Sequence, residues 1–277
     1  MAVRGAIGRA QPWSDRVARV GYLSKGLVFI LVGGLAVVAA AGLGGIATGP
    51  SGALEAVARL PAGRAGLAFI ALGLLAHAAF RAALALVGEP YVKRAARWRV
   101  ARRVSNGFAA LMYVGMALSA GALVVGLGAH VHTSKNAETR HLSARLLMAP
   151  FGRPLLLSIA FGILVAATVQ LFRAFGPNHV REQLRVREMT EWERKTVAGM
   201  GRIAFAARAT VLAVCGYFVG RAAVDRAPRE ARGPAGALHA VWGLPHGGFL
   251  LACLAAGLIT FGAYGLLEAK WRRFFEP

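Results

Sequence analysis

Two ionisable side chains, His77 and Arg81, lie in a long apolar stretch of the sequence and are four residues apart. Residues at this spacing share one face of a helix. An ionisable residue inside a membrane-spanning stretch is by default a candidate functional residue, because its charge is costly in lipid. The pair could therefore serve a substrate or a proton. Arg81 also lies close enough to the end of the stretch to extend its guanidinium into the headgroup layer, which requires no such role.

The other candidates in the apolar stretches carry amide or hydroxyl groups. Gln170, Thr260 and Tyr264 complete the set of intramembrane candidates. Hydrogen bonds between helices are the expected use of these groups, and also of Thr168, Thr210 and Tyr217. Convergence on one water-accessible cavity would instead indicate a pathway. The acidic residues, including Glu268, fall at the ends of the stretches or in loops, which argues against a proton-coupled pump.

Five of the seven histidines fall in segments expected on the outer side of a membrane: His130, His132, His141, His239 and His246. The three in one loop could bind zinc or copper together with Glu138, or respond to pH near the imidazole pKa of about 6.5. Scattered loop histidines are more commonly not ligands, so no metal or cofactor is assigned. The sequence also lacks the common hydrolase and nucleotide-binding motifs, and we expect no enzymatic activity.

The elements that must position these residues are predicted by composition. Of 277 residues, 57% are hydrophobic and 16% are charged, whereas soluble domains have about 25% charged residues. Six apolar stretches are long enough to cross a bilayer, near residues 23–43, 65–87, 106–128, 154–175, 203–224 and 247–268. Residues 190–193, Thr-Glu-Trp-Glu, are typical of a capping box that opens a short interfacial helix before the fifth stretch. The predicted fold class is an all-α integral membrane protein with six transmembrane helices.

The net charge of +21 is distributed unevenly along the chain. Of the 33 lysines and arginines, 23 fall near the termini and around the second and fourth connections, and 10 around the other three. Cytoplasmic segments of membrane proteins carry such an excess. Both termini are therefore predicted in the cytoplasm, and the protein in the inner (plasma) membrane. The basic segments would attract anionic lipid headgroups, so the charge requires no nucleic-acid partner.

The chain contains internal repeats. Residues 49–61 and 233–245 agree at nine of thirteen positions, and Pro61, Pro150 and Pro245 anchor a longer alignment. The alignment divides one membrane domain, residues 1–277, into two-helix units of about residues 16–88, 100–175 and 199–272. Since each unit crosses the membrane twice, the three units are predicted to be parallel. Closure into a pseudo-three-fold ring is left open, as is a protein partner or a homo-oligomer.

Two motifs in the first unit carry a family resemblance. Residues 18–26 read Ala-Arg-Val-Gly-Tyr-Leu-Ser-Lys-Gly, and residues 52–64 contain Gly-Ala-Leu and end in Leu-Pro-Ala-Gly-Arg. With these motifs the chain resembles the bacterial domain of unknown function 1206 family of membrane proteins over almost its whole length. The second unit departs from them at Asn106 and Ala109, and the third at Ala204 and Gly248. The resemblance implies tandem two-helix modules with six helices, and it implies no activity.

These observations leave two classes of function. The preferred one is a non-enzymatic membrane scaffold that acts through a partner or through lipid. The alternative is a channel or transporter with a pathway for a small molecule or an ion between the repeats. The alternative lacks an evident charge network repeated in all three units, because Lys25 and Arg208 occupy matching positions while the third position is Ala109.

The charge bias predicts the location of the C-terminus. A reporter enzyme that works only in the cytoplasm, fused after Pro277, should be active, because the basic segments hold the termini on that side. A reporter that works only outside the cytoplasm should be inactive at the same position. Activity of the second fusion alone would contradict the predicted orientation.

Overall fold

Nine α-helices, six of them long, build the described part of the chain. A computed structural model describes residues 11–43, 48–88, 96–126, 135–176, 184 and 189–271. The long helices are α1 (Gln11–Ala40), α3 (Gly63–Val87), α4 (Ala96–Val124), α6 (Gly152–Phe175), α7 (Glu191–Val224) and α9 (Gly247–Trp271). The short ones are α2 (Pro50–Ala58), α5 (Lys135–Met148) and α8 (Pro234–Trp242). All six long helices have the length and hydropathy to cross a membrane, which confirms the predicted fold class.

The first helix of each predicted hairpin begins well before its apolar stretch. α1, α4 and α7 start at residues 11, 96 and 191, whereas the apolar stretches were placed from 23, 106 and 203. The capping box is confirmed: the Glu193 amide donates to Thr190 Oγ1 at 3.3 Å, and the Thr190 amide donates to Glu193 Oε2 at 2.9 Å. The prediction of a separate interfacial helix is wrong. No proline interrupts residues 191–224, and the helix continues into the span.

Each short helix leads into the next long helix through the same Pro-x-Gly turn. The middle residue is left-handed in all three turns: Ala62 (φ 60°), Phe151 (φ 62°) and His246 (φ 59°). The glycine that follows has no room for a side chain. A Cβ on Gly63, Gly152 or Gly247 would overlap a carbonyl oxygen of the preceding short helix. The turns are thus built alike, in agreement with the sequence alignment of the three units.

The long helices contact one another in a closed ring. Around the ring the order is α1, α3, α4, α6, α7 and α9, and α9 packs in turn on α1. Neighbours are antiparallel. Gly26 of α1 lies against Gly262, whereas Gly33, further along α1, lies against Ala255 and Ile259, which come earlier in α9. The ends that carry the N-termini of α1, α4 and α7 therefore lie together, and we refer to this side as the basic end. The three-fold symmetry of the repeats stays a prediction.

Small residues let α1 and α9 approach closely. A Cβ on Gly26 would lie 2.8 Å from the carbonyl oxygen of Gly262, and a Cβ on Gly262 would lie 2.5 Å from that of Gly26. Lipid provides no hydrophobic drive between helices, so backbone contact of this kind is a main source of packing energy. The same contact brings the early part of α1 against the late part of α9, where the buried charges described below lie.

Glycine at this contact should be required for stability. Gly262→Ala places a methyl group against the Gly26 carbonyl and Ile30, so we expect a loss of about 1–3 kcal/mol in the free energy of unfolding. Gly115→Ala is the control, because a Cβ there meets nothing within 4 Å and alanine favours helix by about 1 kcal/mol. Thermal unfolding followed by circular dichroism in detergent measures both. Equal stability of the two variants would contradict the close contact.

Candidate functional site inside the helix ring

A buried ion pair joins the first and last long helices. Lys25 Nζ of α1 donates to Glu268 Oε2 of α9 at 2.9 Å, and the two residues are 1% and 2% exposed. Lys25 Nζ also lies 4.8 Å from the centroid of the Tyr22 ring and 4.7 Å from that of Phe261. Removing two charges from water costs several kcal/mol per ion, and only a close, hydrogen-bonded partner offsets this cost. The pair therefore depends on the position of both helices.

His77 and Arg81 lie together on the inner face of α3. Arg81 Nη1 donates to Asn106 Oδ1 of α4 at 2.9 Å, and Arg81 Nε donates to His77 Nε2 at 3.3 Å. The Arg81 side chain is buried, so it does not extend to the headgroup layer as the alternative interpretation allowed. Asn106 accounts for this difference, because it offers a buried acceptor that sequence spacing did not reveal.

Aromatic rings surround the imidazole of His77. Its centroid lies 4.6 Å from the ring of Tyr22 and 4.6 Å from the ring of Tyr113, both edge to face. His77 has no exposed surface. Edge-to-face packing on two sides holds the ring in one orientation, and it directs Nε2 toward Arg81.

Arg208 of α7 occupies the interior of the ring as well. Its Cζ lies 4.8 Å from the Phe29 centroid, 4.7 Å from that of Phe261 and 5.7 Å from that of Tyr113. These rings belong to α1, α9 and α4, so one guanidinium contacts three other helices. Lys25 Nζ lies 4.7 Å from the centroid of the same Phe261 ring, and the Tyr113 ring also contacts His77, which accepts from Arg81. We call Lys25, His77, Arg81, Arg208 and Glu268 the central charged cluster.

The remaining predicted candidates join this cluster only in part. Tyr264 is fully buried beside it, with its ring 5.2 Å from that of Phe205. Gln170 of α6 is buried, and its Oε1 has no hydrogen-bond partner among the described residues. Thr260 stays outside, because its hydroxyl donates to the Ala256 carbonyl of its own helix at 2.8 Å.

The threonines show why interhelical hydrogen bonds were a wrong prediction for them. Thr168 and Thr210 donate to Leu164 and Ala206, four residues back in their own helices, at 2.9 and 3.1 Å, as Thr260 does. A short hydroxyl side chain reaches the preceding turn more readily than a neighbouring helix. These groups are thus satisfied locally.

The sequence did not reveal Glu268 as the partner of Lys25. Five cations that the structure buries were also assigned, from the sequence, to the exposed flanking charges. The five are Lys25, Arg81, Arg102, Arg173 and Arg208, all buried. They belong to the 23 basic residues assigned to one side, and the remaining 18 still exceed the 10 of the other side. The matching positions of Lys25 and Arg208 in two units were the signal that could have found the cluster. By contrast Arg19, Arg103 and Arg202 are exposed, as flanking charges should be.

A separate, apolar cavity opens between α4, α5, α6 and α7. Its volume is about 270 Å³. The side chains of its deep part are apolar and include Met112, Ile163, Leu212, Cys215 and Val219. Its polar lining groups, Thr139, Ser143 and Arg232, lie on or next to the short helices, at the end opposite the basic end. The cavity is therefore almost entirely apolar, with its few polar groups at one end.

The possible metal site at the outer histidines, which was not assigned from the sequence, is not tested by the described residues. His130 and His132 lie outside the described residues, and the described residues include no group of three or more metal-binding side chains. His141 is exposed on α5, and His246 forms the left-handed position of the third turn. The position of His246 thus has a structural explanation.

The six spanning helices and the charges enclosed by them define a multi-pass helical membrane protein. The family described as Domain of Unknown Function (DUF1206) matches at residues 20–88 and 203–272, which are the first and third predicted units. The uncharacterized protein YxxB of Bacillus subtilis (strain 168) is 33% identical over 262 residues, covering 95% of this chain and 92% of the relative. No solved structure matches significantly. The chain belongs to the DUF1206 family, as its motifs indicated.

The Lys25–Glu268 pair predicts strongly non-additive substitutions. Glu268→Gln leaves a buried, uncompensated ammonium group and should lower the free energy of unfolding by about 3–5 kcal/mol, whereas the double variant Lys25→Met/Glu268→Met should recover most of that loss. The control is Asp225→Asn, which disrupts the exposed Arg221–Asp225 pair at 3.0 Å and should cost at most about 1 kcal/mol. Unfolding by SDS titration provides the comparison. If the losses of Lys25→Met and of Glu268→Met, measured singly, add up to the loss of the double variant, the pairing is excluded.

Proposed function

We propose that this protein is a non-enzymatic inner-membrane protein that binds the acyl chain of a membrane lipid in the cavity between α4, α5, α6 and α7. The apolar lining of that cavity, with its few polar groups gathered at one end, is the observation that carries the proposal. Both termini lie in the cytoplasm in this proposal, so the polar end of the cavity lies near the outer headgroup layer. Lipid interaction was one of the two routes left open for a scaffold.

The chemistry of the lining suits one hydrocarbon chain. The deep wall offers no charged group, so a chain there gains dispersion contacts on all sides without desolvating polar atoms. Water binds poorly in the same space, because a buried water molecule needs two to four hydrogen-bonding partners. Acyl chains surround the protein at very high local concentration, so even a weak site is occupied.

The polar end of the cavity suits a headgroup. Arg232 lies at this end, and its Cζ lies 4.3 Å from the centroid of the Phe218 ring. The stacking holds the guanidinium in place while its N–H groups stay available for an anionic oxygen. Ser143 and Thr139 add hydroxyl groups nearby. An anionic phospholipid matches this order of apolar and cationic groups.

A second set of lipid contacts is proposed at the basic end. Exposed arginines, among them Arg19, Arg103 and Arg202, lie at the start of α1, α4 and α7. Each basic side chain near an anionic bilayer surface contributes about 1 kcal/mol of attraction. These contacts orient the protein and do not select one lipid.

The alternative is passage of a small molecule or ion between the hairpins. The central charged cluster favours it, because intramembrane ionisable residues commonly mark such pathways. The packing of the described residues favours it less. Aromatic rings from four helices lie around Lys25 and Arg208, and the Thr260 hydroxyl does not join them.

The lipid proposal predicts where a photoreactive lipid attaches. A phospholipid with a diazirine on its acyl chain should label cavity residues such as Met112 and Cys215. Val219→Phe places a larger side chain in the cavity and should reduce that labelling about tenfold. Accommodating an acyl chain beside it would cost about 1–3 kcal/mol in overpacking. Peptide mass spectrometry after irradiation gives the yields.

Two comparisons make this experiment specific. Val224→Phe is the matched control, because Val224 lies on the same helix but is exposed, and its cavity labelling should equal that of the natural protein. Labelling of the lipid-facing residues Leu72 and Leu118 should stay constant in both variants. If the Val219 and Val224 variants give equal cavity labelling, the cavity does not hold the chain.

A further inference from the structure

We propose that Arg208 forms the centre of a binding site for a small monovalent anion, reached from the basic end of the helix ring. The site is separate from the lipid cavity. It does not rest on the lipid proposal, and the two can fail independently.

The charges buried near Arg208 do not balance. Lys25, Arg81 and Arg208 are three cations, and Glu268 is the one buried carboxylate among the described residues. Glu268 accepts from Lys25. Arg81 donates to the neutral acceptors Asn106 and His77. Two positive charges are therefore in excess within a low-dielectric interior, where an uncompensated charge costs several kcal/mol.

Arg208 also has unused hydrogen-bond donors. Its Nε and Nη1 are buried and make no hydrogen bond with the described residues, and the side chain is 7% exposed. Phe29, Tyr113 and Phe261 stabilise the cation through their ring faces. These ring faces do not provide the oxygen or nitrogen acceptors that the in-plane N–H groups of the guanidinium need. An anion would satisfy the donors and remove one excess charge at the same time.

The surroundings select the kind of anion. The walls are aromatic, so a bound ion exchanges most of its hydration shell for Arg208 and for the nearby charges of Lys25 and Arg81. A multiply charged oxyanion needs many more donors than this interior offers. A monovalent, weakly hydrated ion such as bromide, nitrate or chloride loses less on entry. These ions share the required chemistry and differ in their hydration.

The basic end attracts anions toward the site. Arg202 lies six residues before Arg208 on α7 and is exposed, as are Arg19 and Arg103 at the same end of α1 and α4. A cluster of like charges raises the local concentration of counter-ions and directs them to the site.

Thermal stability in different anions tests the site in the full-length protein in detergent. At equal ionic strength, replacing gluconate, which is too large to enter, with bromide should raise the Tm by about 5 °C, since a ligand that binds only the folded state stabilises it. Arg208→Met should abolish this difference. Arg221→Gln, which removes an exposed charge at the opposite end of the same helix, should keep it. A bromide effect that persists unchanged in Arg208→Met would overturn the proposal.

A second measurement covers the case in which Arg208→Met does not fold. Crystals of the natural protein grown or soaked in bromide should show an anomalous peak within hydrogen-bonding distance of Arg208 Nε or Nη1. Bromide density only at exposed arginines such as Arg202 would overturn the site. Neither measurement depends on the acyl-chain cavity.

Discussion

The contact between α1 and α9 is the constraint on which the remaining architecture depends. A charged side chain in a lipid-surrounded helix must face protein, and it must meet a partner there. Lys25 and Glu268 are separated by 243 residues, so their pairing at 2.9 Å requires the last helix to return to the first. The backbone approach at Gly26 and Gly262 makes this return close enough. The contact that closes the helix ring therefore also buries the Lys25–Glu268 pair.

Departures between the repeats create a single site. If the units were identical, Lys25 would recur at Ala109 and at Arg208, and Arg81 at Gln170 and Gly265. Instead each unit contributes a different group to the interior. The regions matched by the family supply Lys25, His77, Arg81, Arg208 and Glu268, while the middle region supplies Asn106 and Tyr113. If the chain is built from the three predicted units, their unequal side chains at matching positions yield an asymmetric, cationic centre.

The two proposed sites differ in the polarity of the side chains that surround them. The central charged cluster is enclosed by aromatic rings from several helices, so its chemistry is that of a desolvated cation. The cavity between α4, α5, α6 and α7 is lined mainly by apolar side chains and has one guanidinium at its end, so it suits an amphiphile. Both arise because a ring of six helices has an interior and a set of interhelical clefts.

Composition and periodicity by themselves determined the fold class, the six spans and the exposed flanking arginines. These are local properties, because about 20 apolar residues suffice for a helix to span lipid. The three glycine turns were also visible, since Pro-x-Gly recurs at residues 61–63, 150–152 and 245–247. The start of α7 was not predicted from the sequence, because no local pattern indicates that the helix continues through residues 198–203.

Only the tertiary structure decided which charges are paired. Glu268 lies near a helix end in the sequence, and its partner Lys25 became evident only when α9 was placed beside α1. Arg81 turned inward because Asn106 of another helix meets it, whereas three threonines turned to their own helices. Sequence spacing defines the face of a helix but not its neighbour. Pairing energies depend on that neighbour, because they fall steeply with distance and solvent exposure.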